Sequence, residues 1–467
     1  MLRIVLTICV LISNLFCGVL TQKTSSKELR APELSDEQLT QKKIKQAHYV
    51  NDVGHYIMDT LATSSHTIFL SPFSIHTVLM LLGHGATGET ELLLRSFLRI
   101  PSEEAKITLA EIQISLTKAL IHSNSQPLYL LANSIWINDH FDVYQQYISD
   151  CSEAFNATAK LVNFGDIETA SMINSWVKNS TNGLIENAVE QTNIEDKIIL
   201  INTLYFKQRW DYPFDPSKTK LQTFFLLNGE KKEVEMMEKN EEMLYVENKD
   251  VRAISISFRD KRAQFIVFLP NQRDFESMQR CISKYIEADW LNSVVRSMAM
   301  RRMNVQLPKM KISQETKLKD TLSKLGIRNI FTKAANFSNI SPGFFENDGN
   351  ESLKAREGER DEEEKANLYV SDIVHHAVLD VNELGIEAAA ATITYSNSAE
   401  EKEEQKGIDF VVNRPFIVAI VEKDANLILF EGAIMDPVNV AQSSSSSNRK
   451  NAHIYKQLQE KYEKQEL

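Results

Sequence analysis

Cysteine is scarce in this chain. Its 467 residues include four cysteines, and Cys9 and Cys17 fall in the first 21 residues, leaving Cys151 and Cys281 for the rest. Nothing in the sequence brings those two together, so two free, partly buried thiols are expected and a disulfide scaffold is excluded. Positive charge is also short, with 52 Lys and Arg against 63 Asp and Glu. An acidic balance argues against a nucleic-acid binder. No apolar run beyond residue 20 is long enough to span a bilayer. Catalytic signatures are missing too, since there is no G-x-S-x-G elbow, H-E-x-x-H helix or phosphate loop. Ten histidines are scattered, and neither an enzyme nor a metal or cofactor site is expected.

What is present is a globular composition, 43% hydrophobic, enough for one large domain or about two to three average ones. Residues 1–21, with Arg3 before an apolar run interrupted by Thr7, Ser13 and Asn14, read as a secretory signal peptide. Residues 22–44 read as a polar, disordered lead-in, and a helix is expected from about Ala47 to Leu61. Ser71 caps a buried helix with Pro72 at its first position. That helix closes in Gly83-His84-Gly85-Ala86-Thr87-Gly88. The letters match G-x-G-x-x-G, but a dinucleotide site needs those glycines after a strand and opening a helix, so they read as a helix stop. Residues 88–123 read as two amphipathic helices, Leu128 to Trp136 as a strand and Ala170 to Val177 as a helix. Lys197 to Phe206 is a near-continuous apolar run, the mark of a strand buried on both faces.

The most informative stretch runs from Leu368 to Phe416. It begins as a β-branched strand from Leu368 to Val381. Glu383-Leu384-Gly385-Ile386-Glu387 follows, then Ala388, Ala389, Ala390, Ala391 and Thr392, small residues that could slot between strands without overpacking. In an extended chain Ile386, Ala388, Ala390 and Thr392 share one face and Glu387 points the other way. Ser396 to Lys406 is polar and reads as an exposed loop. By itself the alanine run would favour a helix.

The pattern resembles the hinge and reactive-centre loop of the serpins, the serine-protease-inhibitor family. Phe410 to Ile420 (FVVNRPFIVAI) is similar to that family's C-terminal signature. Further similarities are the Ser71–Ile75 helix start, the Ile198–Phe206 strand with Trp210 after it, the Leu307–Ile312 segment, and Leu325-Gly326-Ile327 followed by Phe331. They cover about residues 45–437 in family order. The resemblance implies an α+β serpin fold: a large, mostly antiparallel central sheet with further sheets, about eight to nine helices, and an exposed loop across 383–410. It also implies a hydrogen-bonded shutter of Ser71, Ser74, Asn202 and His375 beneath the central sheet, and a breach tryptophan, Trp210. The implied activity is suicide inhibition. A serine protease acylates itself on the loop, and residues Gly385 to Ser398 then enter the sheet between the Ile198–Phe206 and Leu368–Val381 strands. Family spacing puts the cleaved bond at Ala399-Glu400, which suits an elastase-like protease, with Lys402 and Lys406 as trypsin-like alternatives. Ile386 departs from the Thr or Ser usual there, and slower insertion is expected at worst. In the glycosaminoglycan-activated members a helix in the region matching residues 88–123 bears clustered basic residues. Here Arg95, Arg99 and Lys106 are scattered among acids, so no heparin site is expected.

Two segments depart from the family, the charged insertion 343–366, read as a solvated loop, and the Ser-rich linker and charged tail 438–467. Five Asn-x-Ser/Thr triplets, at Asn156, Asn179, Asn336, Asn339 and Asn350, are glycosylation candidates in a secretory-pathway protein. Lys464-Gln465-Glu466-Leu467 is similar to a K-D-E-L retrieval signal, with chance or a cloning remnant as the plainer account. A secreted monomeric inhibitor is therefore expected, with a non-inhibitory serpin of the endoplasmic reticulum, chaperone-like in its binding, as the alternative.

Overall fold

The computed structural model describes residues 36–62, 66–101, 108–121, 129–181, 183, 185–285, 290–342, 367–386 and 407–437. Residues 1–21, expected to be a signal peptide, Lys106, the insertion 343–366, residues 387–406 and the tail 438–467 lie outside them. In chain order the described elements are α1 Asp36–Leu61, β1 Ile68–Leu70, α2 Pro72–Gly85, α3 Gly88–Phe97, α4 Leu109–Ile121, β2 Tyr129–Asn138, α5 Gln145–Phe155, β3 Ala157–Val162, α6 Glu168–Ser180, β4 Ile198–Phe206 and β5 Gln208–Arg209. They continue with β6 Lys220–Phe225, β7 Lys231–Glu247, β8 Val251–Ser257, β9 Ala263–Pro270, α7 Phe275–Tyr285, α8 Trp290–Ser297, β10 Ala299–Pro308, β11 Met310–Lys317, α9 Lys319–Leu322, β12 Val370–Asn382, β13 Gly385–Ile386, β14 Ile408–Val411, β15 Phe416–Glu422 and β16 Leu427–Ile434.

Two sheets carry the fold. One runs β3-β2-β4-β12-β13-β5 with β11 on the other side of β12, and the second runs β1-β16-β15-β9-β8-β7-β10-β14 with β6 on β7. Of the described pairings only β10/β14, β12/β4 and β2/β3 are parallel, so the sheets are mostly antiparallel. Every described side chain of β4 is buried, on both faces, as its apolar run predicts. Side chains alternate across it. Ile199 and Ile201 meet Ile173 and Val177 of α6, with Trp136 of β2 and Val378 of β12 in the same cluster. Leu204 and Phe206 join the larger core, which also holds Phe69, Phe258, Leu379 and Phe430. Thus α6 lies over both β4 and β12.

The α2 start is as the sequence predicts. Ser71 is the N-cap, its hydroxyl accepting from the Ser74 N–H at 3.2 Å, and Pro72 stands at the first helical position. The glycine run separates two helices, and Gly88 takes φ +57°. Two expectations need correction. The first helix begins at Asp36, inside the expected lead-in, because Ala47 and Val50 are buried in the larger core and extend an anchored face upstream. Residues 336–341, which the sequence ahead of the charged insertion makes helix-like, instead hold a turn at 338–340 and no helix. Cys151 and Cys281 are free, and buried more completely than expected; burial pushes their thiols up to about 12 and 11.

Phe430 stacks on Phe69 with ring centroids 5.4 Å apart and meets Phe206 edge-on at 6.2 Å. Phe430→Ala is expected to cost about 3–5 kcal/mol, the range for emptying a buried aromatic site. It would be read as a lowered thermal midpoint with the far-ultraviolet spectrum unchanged.

Candidate functional site

The site is built around Asn202. Its Cα partners in the sheet are Asn133 of β2 on one side and His375 of β12 on the other. The row therefore crosses the parallel seam between β4 and β12. All three residues are buried, and a polar side chain in such a place needs a partner for every group. Asn202 Nδ2 donates to Asn133 Oδ1 at 2.5 Å and to the Ser74 carbonyl at 3.1 Å. Its Oδ1 accepts from the Ser74 hydroxyl at 2.6 Å and from His375 Nδ1 at 2.6 Å.

The tautomer of His375 follows from its partners. The Ser71 N–H points at Nε2 from 3.1 Å, so Nε2 presents a lone pair and the proton sits on Nδ1. A second proton would remove that acceptor inside a fully buried site. Burial, and then the neighbouring His376, accordingly hold the His375 imidazole down to about 3. The four expected residues Ser71, Ser74, Asn202 and His375 are thus brought together. Asn133 completes the set and was missed, since alternation marks a position as inward without saying that two amides meet there.

At the other end of β12 the chain turns back through Glu383 and Leu384. Three successive main-chain carbonyls bind the segment around Trp210. Asn382 accepts the indole N–H at 2.9 Å, Glu383 the Phe214 N–H at 2.8 Å, and Leu384 the Trp210 N–H at 3.0 Å. The Trp210 ring stacks on Phe258 at 5.0 Å and 9°. Thr219 donates to the Glu383 carboxylate at 2.9 Å, with Lys309 3.4 Å away.

Next, Gly385 and Ile386 form β13, antiparallel to Val381 and Asn382 on one side and to Gln208 and Arg209 on the other. The sheet is therefore closed directly from Ile198/Val370 to Leu204/Ala377 and already parted beyond it by two residues of the hinge. Gly385 has φ +154°, and a Cβ there would lie 2.1 Å from the Gln208 carbonyl oxygen. Ile386 is 1% exposed and belongs to the larger core. Its apolar side chain fills space that Thr would fill less completely. Glu387, Ala388, Ala389, Ala390, Ala391, Thr392, Ala399, Glu400, Lys402 and Lys406 lie outside the described residues.

Other candidate residues are dispersed. Asn156, Asn179, Asn336 and Asn339 are exposed, the last two in one segment and the others apart from it, and Asn350 lies outside the described residues. Arg95 is bonded to Glu91 at 2.7 Å and Arg99 stands over Tyr56 at 5.0 Å, so neither contributes to a basic cluster. No group of metal-ligating side chains occurs among the described residues, and no described helix is long and apolar enough to cross a membrane.

The family model described as Serpin (serine protease inhibitor) matches residues 48–437. Among curated proteins, serine protease inhibitor 42Dd of Drosophila melanogaster is 30% identical over 388 residues, spanning 81% of this chain and 94% of that protein. Leukocyte elastase inhibitor of Bos taurus is 28% identical over 380 residues, spanning 79% and 93%. Among solved structures, Serpin48 of the insect Tenebrio molitor superposes with TM-score 0.69 at 26% identity, covering 87% of this chain and all of that one.

The neutral His375 makes the seam pH-dependent. Its pKa is about 3 in the closed sheet and about 6.5 in an unfolded chain. The closed state therefore binds fewer protons, and its stability is full above pH 6.5 and lost as the pH falls towards 3. The loss is about 1.4 kcal/mol per pH unit for such a ring. Buried His76 and His376, each lowered to about 4, add in the same direction. The thermal midpoint at fixed scan rate is expected to fall between pH 7 and 5, and His375→Gln to lower it at pH 7 while flattening that fall.

Proposed function

This chain belongs to the serpin family, and from that premise we propose that it inhibits a serine protease as a suicide substrate. Serpins are protease inhibitors that react with their targets without being enzymes. For this chain the carrying observation is the hinge. Four alanines follow a segment, Gly385–Ile386, that already lies between β12 and β5. Attack at Ala399-Glu400, or at Lys402 or Lys406, would free the residues after Ile386 to continue β13 down the β4/β12 seam. Strand addition by serpin loops is a known case of this recognition mode.

The magnitudes are adequate. About a dozen residues would make roughly ten ladder hydrogen bonds at ~0.5–1.5 kcal/mol each. Loss of one oxyanion donor costs a protease about 2.7–4 kcal/mol, or some hundred- to thousandfold in rate. Insertion therefore outweighs the geometry that deacylation needs, and the uncleaved form is a kinetic trap. On this reading Ser71, Ser74, Asn202 and His375 hold the seam shut, and Trp210 and its neighbours hold its mouth. The exposed Asn156, Asn179, Asn336 and Asn339, together with Asn350, are sites for glycans, and the protein is secreted and monomeric.

A second reading is a non-inhibitory serpin retained in the endoplasmic reticulum. It rests on Lys464–Leu467 and on Ile386 in place of a hydroxyl residue.

Incubation with trypsin and with pancreatic elastase separates the two readings. An SDS-resistant band at the summed mass, with the released peptide sized by mass spectrometry, is expected of the inhibitor. Clean cleavage by both proteases without a complex or a gain in heat stability would sink that proposal. Ile386→Arg would place a charge in the core. It is expected to convert complex formation into plain cleavage, with the covalent band reduced at least tenfold. Deleting Lys464–Leu467 and assaying the medium tests retention.

A further inference from the structure

Three arginines converge where β8 begins and β9 and β14 end. Arg414 is 6% exposed. Its Nε and Nη2 both donate to the Pro270 carbonyl, at 2.9 and 2.7 Å. Nη1 finds only Asn413 Oδ1, at 3.5 Å. Arg252, half-buried, stands 5.8 Å from the Phe410 ring centroid and gives Nη1 to the Asp409 carbonyl at 3.3 Å. Arg273 lies 4.3 Å from the Phe225 centroid. The Phe225 N–H donates to the Asn413 carbonyl at 2.9 Å, which ties that ring to the residue preceding Arg414.

Among the described residues none of these arginines is in an ion pair. The carboxylates on neighbouring residues bond other groups, and none bonds these guanidinium groups. Glu247, cross-strand from Arg252, takes the Tyr245 hydroxyl. Asp274 accepts the Ser277 N–H at 2.7 Å, Asp409 the Asn304 amide at 3.0 Å, and Asp250 holds Lys284. Burial, followed by the charges of Arg252 and Arg273, brings the Arg414 guanidinium down to about 10. A nearly buried cation is ordinarily paired. Here a structural staple to Pro270 satisfies the fork's inner edge and no described carboxylate bonds the group, while two more cations stand beside it.

We propose that Arg252, Arg273 and Arg414 form a binding site for one tetrahedral oxyanion, a sulfate or phosphate group. Guanidinium forks match such oxygens bidentately, and the faces of Phe225 and Phe410 steady two of the three forks. The site is separate from Arg95 and Arg99, whose guanidinium groups are engaged by Glu91 and Tyr56. The same chemistry is offered by a free ion and by a sulfated sugar.

The full-length protein is titrated calorimetrically, at constant ionic strength, with inorganic phosphate, inorganic sulfate and a fully sulfated disaccharide. Saturable binding of at least one is expected, weakened about tenfold or more in Arg273→Gln and in Arg252→Gln. These variants should keep or raise the thermal midpoint in anion-free buffer, because each removes a repulsion. Tighter binding of the disaccharide than of both ions assigns the source to a sulfated polysaccharide, and the reverse order assigns it to the free ion. No saturable binding of any probe, or equal affinities in native protein and Arg273→Gln, overturns the site. Arg273 is exposed, so its variant decides the matter even if Arg252→Gln fails to fold.

Discussion

A single carboxamide, that of Asn202, is the constraint on which the rest depends. Its oxygen accepts from Ser74 and His375 while its nitrogen serves Asn133 and the Ser74 carbonyl. One amide thereby joins two neighbouring strands and the helix beneath them. Each such bond is worth about 1 kcal/mol net, but leaving a buried partner unsatisfied costs about 1–3 kcal/mol. Parting β4 from β12 therefore means re-pairing several groups at once, and the seam behaves cooperatively. The N-cap of α2 belongs to the same unit, since Ser71 caps the helix with its hydroxyl and serves His375 with its N–H.

Above that row the balance changes. The β4/β12 ladder stops at Leu204/Ala377, and the next rungs are made by Gly385 and Ile386. The sheet thus has a locked length and a parted length, separated by a few residues. A glycine is required where the hinge enters because the Gln208 carbonyl approaches within a distance no Cβ tolerates. Ile386 then anchors the entry by burying its side chain, a stabilisation of roughly 1.5–3 kcal/mol relative to exposure. A hydroxyl residue at that position would be held less firmly, so this chain starts with a deeper-seated hinge than the resemblance alone implied.

Much of this was readable from the residues. The Ser71-Pro72 helix start, the doubly buried β4 and the rejection of the G-x-G-x-x-G match rest on local rules of capping, burial and glycine placement. His375, Asn202 and Ser74 were recognisable as a set only through family resemblance, because their positions are far apart in the chain. Asn133 escaped notice since an inward position in one strand does not reveal which polar group faces it from the next. The early start of α1 escaped because charged residues 36–44 look like a solvated lead-in, whereas an already nucleated helix extends cheaply. The arginine cluster was invisible for a related reason: its members sit on three separate loops and strand ends, and each alone looks like a surface charge.

The root of the loop is gripped by the carbonyls of Asn382, Glu383 and Leu384, groups that every residue type possesses. Amino-acid changes farther along leave that grip untouched. On the proposed inhibitory reading, the residues beyond Ile386 can therefore diversify towards new quarry over generations while the machinery behind them is inherited unaltered, a division of labour written into the main chain.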